Sequence, residues 1–207
     1  TSNGEPSSPL GTMVVQETKA PAGYNLDDGH GNTPTRFCIQ VTDDGTKDEI
    51  VQTYNSPKST DSVQRGDYRI VKEIPMESGI TQESERVLLP GVEFQLINAS
   101  ERAVVSPHTR TEVEPGSVVC TIATDANGLA STRNGSAVNG WNIPEGWSAA
   151  LAYGTYTVHE VVPDPVAQQF KEKYGHDIIT VPDWKITISE EGQYDAPTFV
   201  STNIPQT

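Results

Sequence analysis

Apolar and polar residues alternate in short stretches along most of this chain, with a period of two that marks half-buried strands. The pattern predicts strands over 12–17, 36–42 and 49–54, then 68–74, 92–97, 118–124, a short piece around Leu129, 155–161, 184–189 and 198–203. Between the two groups, NSPKSTDSVQRGD (55–67) is polar and rich in Pro, Ser and Gly, so it is expected to be a linker. Pro90-Gly91 should turn the chain into the strand at 92, and Asn127-Gly128 is a hairpin signal. One segment breaks the alternation. PVAQQFKEKYG (165–175) opens with Pro, spaces Val166, Phe170 and Tyr174 four apart and stops at Gly, which predicts a short amphipathic helix lying over the sheets.

A strand pattern occurs twice. GTMVVQE (11–17) and GTYTVHE (154–160) are each followed by a later strand that ends in Asn-x-Pro. Glu17 precedes Asn55 by 38 positions and Glu160 precedes Asn203 by 43, a repeat distance that means duplicated domains. The expected division is 1–57 and 58–207. The second copy has an upstream strand, DYRIVKEI (67–74), in which Lys72 shares a face with Tyr68 and Ile70. Glu160 likewise shares the face of Tyr156 and Val158, so two ionisable groups point toward an apolar core. Transferring the spacing of the second copy puts the corresponding lysine of the first ahead of residue 1, so the first domain is expected to lack its N-terminal strands.

Composition narrows the class. The 207 residues hold 34% hydrophobic positions, 17 Gly and 15 Pro, enough for all-β cores joined by turns and with no apolar run long enough to span a bilayer. The net charge of −14 disfavours nucleic acid and anionic membrane surfaces as partners. Two cysteines make no disulfide framework: Cys120 shares a face with Val118 and Ile122 and should be buried, whereas Cys38 is turned outward. The first nine residues are neither basic nor apolar, unlike a secretion signal, and no LPxTG tail is present.

These residues resemble a known family. ETKAPAGY (17–24) is very similar to the E-box of the Cna B-type, prealbumin-like domains of Gram-positive surface adhesins and pilins. The GTxxVxE strand, the Asn-x-Pro strand, and the V-K strand followed by LPGVEFQL (89–96) extend the resemblance over nearly the whole chain. The second copy departs where EVVPDPV (160–166) lacks the APxGY ending. The resemblance implies tandem immunoglobulin-like or prealbumin-like β-sandwiches, the first truncated and the second carrying the inserted helix.

It also implies an intramolecular isopeptide bond between Lys72 and Asn203, with Glu160 as proton relay. Burial disfavours a charged amine and a charged carboxylate alike, favouring the neutral nucleophile and neutral acid that such a reaction uses. Glu17 is the equivalent acid of the first domain, and Asn55 its acceptor without a lysine. The bond forms once per molecule, so the chain is not an enzyme, and no cofactor or metal is implied. Tying first and last strands together removes loop-closure entropy of about 4–5 kcal/mol from the unfolded chain. The expected role is a stalk or spacer on the bacterial cell wall, extracellular, with neighbouring domains of the same surface protein as partners. The alternative is an adhesive module whose long loops, 78–88 and 131–150, hold a host protein or glycan.

Other motifs are weaker. Arg65-Gly66-Asp67 spells an integrin-binding tripeptide but is also ordinary turn chemistry before a strand. Asp27, Asp28 and His30 lack the spacing of a calcium loop. Cys38 near Gln40 suggests a thioester only until its strand position is considered. Trp141, Trp147 and Trp184 can stack on sugars or pack loops.

Overall fold

A computed structural model of the chain describes residues 10–18, 36–41, 63–77, 84–133 and 136–201. These residues are mostly strand, with one short α-helix, and among them no helix is long and apolar enough to cross a membrane. The chain divides into two compact units, 1–62 and 63–207.

In the first unit, β1 (Gly11–Gln16) pairs antiparallel with β2 (Arg36–Val41), Val14 lying opposite Cys38. The Arg36 guanidinium donates to Gln16 Oε1 at 3.0 Å across the pair. Cys38 faces solvent, as alternation requires. The expected strand at 49–54, Asn55, and the loop with Asp27, Asp28 and His30 lie outside the described residues.

The second unit starts where the polar segment was expected to be a linker. From Val63 onward the chain is packed: β3 (Arg65–Gly66) comes before β4 (Arg69–Glu77), β5 (Ser84–Leu88), β6 (Glu93–Asn98), β7 (Val104–Val105) and β8 (Glu112–Val113). Then follow β9 (Val118–Ala123), β10 (Leu129–Ser131), β11 (Leu151–Ala152), β12 (Gly154–Val161), α1 (Asp164–Tyr174), β13 (Trp184–Ile188) and β14 (Thr198–Ser201). One sheet has the order β10-β4-β14, with β5 also on β4, and the other has the order β13-β12-β6-β9. Inward residues of both, among them Ile70, Ile74 and Val200 from the first and Phe94, Ile122, Tyr156 and Val158 from the second, form one apolar cluster. The result is sandwich-like.

Among the described residues every strand pair is antiparallel except one. β14 runs parallel to β4, with Val200 opposite Lys72, which brings the last described strand beside the first long one. Three sequence expectations need correction. Asn127-Gly128 does not close a hairpin, because β9 pairs with β6 while β10 pairs with β4. The turn carries the chain from one sheet to the other, held by the Asp125 carboxylate, which accepts the N–H groups of Asn127 and Leu129. In β9 a bulge opposite Leu96 and Ile97 shifts the phase, so Val119 is buried beside Cys120 and Val118 is exposed. Part of the loop expected over 78–88 is a strand, β5.

The helix forms where its apolar spacing predicts. Phe170 is buried, and Val166 and Tyr174 pack against the core beside it. Gly175 ends it at φ 74°, a left-handed geometry that glycine adopts without a Cβ clash, and its N–H donates to Lys171 O.

Candidate functional site

At the centre of the sandwich two charged side chains meet. Lys72 is the middle inward residue of β4, between Ile70 and Ile74, and Glu160 is inward on β12, beyond Tyr156 and Val158. Their strands belong to opposite sheets, so the pair bridges the core. Lys72 Nζ stands 2.7 Å from Glu160 Oε1, and both side chains are 0% exposed.

The surroundings fix both groups. The Lys72 N–H donates to Gly128 O at 2.8 Å, and its carbonyl accepts the Leu89 N–H at 3.3 Å. Gly128 has φ 67°, and a Cβ there would stand 2.6 Å from the Lys72 carbonyl oxygen, so this close approach demands glycine. Glu160 lies opposite Phe94 of β6. On its other side the β12–β13 ladder ends at Val158 opposite Trp184. Pro182, two residues before Trp184, has no N–H to continue the ladder. The Val181 N–H donates instead to Glu160 Oε2 at 2.7 Å. Just outside, His159 Nδ1 and Asp183 Oδ1 stand 2.7 Å apart on the exposed side.

Buried charges of this kind are expensive unless matched. A buried pair gains from proximity roughly what desolvation costs it, so its presence is weak evidence for stability and stronger evidence for a task. The arrangement supplies an amine and a carboxyl group in direct contact inside the apolar core. A proton can pass between them without creating net charge.

Of the other expected site residues, Glu17 follows β1 and is half-buried. Asn203 lies outside the described residues, as does Asn55. The described chain reaches Ser201 in β14, opposite Glu73 and one residue past the Val200–Lys72 pair.

A second buried carboxylate was not anticipated. Asp67 accepts from Thr132 Oγ1 at 2.8 Å, Arg133 Nε at 3.0 Å and the Ala150 N–H at 3.1 Å. Arg65, 6% exposed, lies with its guanidinium carbon 3.3 Å from the Trp147 ring centroid. Arg65-Gly66-Asp67 is thus an internal clasp, with Asp67 2% exposed, and not a presented tripeptide. A polar residue directly before a strand gave no period-two signal that could have revealed it.

The tryptophans form no open platform. Trp141 is buried and donates to Thr121 O, while Trp184 donates to the Tyr68 hydroxyl and meets Phe94 edge-on at 6.0 Å. No group of three or more His, Cys, Asp or Glu side chains among the described residues is placed to hold a metal ion. Compared with protein-family models and with curated proteins, the chain matches none.

Proposed function

We propose that the second unit is a self-crosslinking domain of Cna B type, and that the chain serves as a stalk segment of a Gram-positive surface protein. The observation that carries this reading is the fully buried Lys72–Glu160 pair spanning the two sheets, next to the strand that leads to Asn203. We take the ion pair as the reactant state.

Glu160 Oε1 accepts a proton from the Lys72 ammonium, leaving a neutral amine. That amine attacks Cγ of Asn203, and protonated Glu160 hydrogen-bonds to the amide so that charge on its oxygen is stabilised. The second amine proton passes to the departing nitrogen as the C–N bond of the amide breaks, and with the proton that Glu160 carried that nitrogen leaves as ammonium. An Nζ–Cγ amide and the original carboxylate remain.

Along β14, Val200 is inward opposite Lys72 while Phe199 and Ser201 are outward, so the described chain ends beside the buried pair.

Support for a spacer over a binding module comes from the tryptophans, each packed against the fold, and from the enclosed Arg65-Gly66-Asp67. Intact mass tests the proposal. The folded chain should weigh one ammonia less than its sequence, and Lys72→Ala, Asn203→Ala and Glu160→Ala should each abolish that loss. A folded wild-type chain at full sequence mass would refute it.

A further inference from the structure

We propose that the backbone N–H of Val181 is a positioning donor that gives the two oxygens of Glu160 separate tasks in the crosslinking reaction. The inference rests on the reading above and deepens it. Glu160 Oε2 accepts the Val181 N–H at 2.7 Å, while Oε1 stands 2.7 Å from Lys72 Nζ. An oxygen that accepts an N–H in a buried core stays an acceptor. The proton taken from Lys72 therefore rests on Oε1, the oxygen facing the reacting amine, and a carboxyl group held at one end cannot swing that proton away.

The donor is available for a reason visible in the chain. The β12–β13 ladder ends at Val158 opposite Trp184, and the Val181 N–H, beyond its end, donates to the carboxylate. The segment carrying it is anchored independently of Glu160: Ile178 and Val181 pack against the core, as do Val162, Val166 and Tyr174 around α1. The helix and its tail thus do more than cover the sheets. They aim the acid, in the stretch where EVVPDPV departs from the E-box ending.

The test removes the N–H and keeps the side chain packing separate. Val181→Pro deletes the donor at a position already next to a proline, and Val181→Ala keeps the donor while trimming the side chain. An ester at the same bond, made by installing the α-hydroxy analogue of valine at 181, removes the N–H with least disturbance and serves if Val181→Pro fails to fold. Each chain is produced in a cell-free pulse and its ammonia loss followed by intact mass. Wild type and Val181→Ala should crosslink at rates within about twofold, and the proline and ester chains about tenfold slower or more. Wild-type rates in a folded chain without the N–H would overturn the positioning role while leaving the crosslink standing. No ammonia loss in wild type would overturn both.

Discussion

Removing one partner of a buried ion pair strands the other, so Lys72→Ala or Glu160→Ala should destabilise the second unit by about 3–5 kcal/mol even without any bond. The double change Lys72→Met with Glu160→Leu separates the two explanations. It removes both charges and fills the space, and if the pair were only an ion pair, the melting temperature should hold or rise. With a crosslink in wild type, the double variant should fold yet melt lower, because the constraint worth about 4–5 kcal/mol is gone. A double variant that melts at or above wild type would speak against the bond. Burial also governs alkaline stability. It pushes the Cys120 thiol and the Tyr156 hydroxyl well above their ordinary values of 9.0 and 10.0. Protons held in the folded state are released on unfolding above those values, so stability is whole below pH 9 and falls as pH rises. Thermal melts should show that decline, and Cys120→Ala should move its onset up toward the tyrosine range. At this scale the inward placement of Lys72, Glu160 and Cys120 was legible, since period-two alternation among apolar neighbours specifies a face. The donor on Oε2 was not, because a backbone N–H has no signature in sequence.

Among the elements, the turn at Gly128 sets the level of Lys72 in the sheet. A methyl at Gly128 would collide with the Lys72 carbonyl at a positive φ, so Gly128→Ala should cost about 1–3 kcal/mol and retard the crosslink. Thermal melting and intact mass check the two effects. Phe170→Ala empties the one buried position of α1 and should destabilise by about 3–5 kcal/mol in denaturant unfolding. The helix was legible from the spacing of Val166, Phe170 and Tyr174 and from its closing glycine. The sheets were legible as strands but not as pairings. Asn127-Gly128 carries the composition of a hairpin, yet its flanking strands belong to different sheets, which local turn chemistry cannot reveal. The same holds for β5, whose polar composition hides a strand that pairs with β4, and for the bulge that exposes Val118.

Across the whole second unit, β14 lies parallel beside β4, and the bridging pair ties the first sheet to the second through the core. A covalent link from Lys72 to Asn203 would enclose about 130 residues, so pulling on the ends would load the bond and not the strand ladder. Such a link would give slow digestion and resistance to force, the properties the proposed stalk role calls for. The most direct measurement is a tryptic digest of the folded, then denatured chain, read by tandem mass spectrometry. An amide on Lys72 blocks cleavage there, so residues 70–86 should appear joined to 186–207 as one branched species lighter by one ammonia than the two peptides together. Linear peptides 70–72, 73–86 and 186–207, with no branched species, would contradict the account.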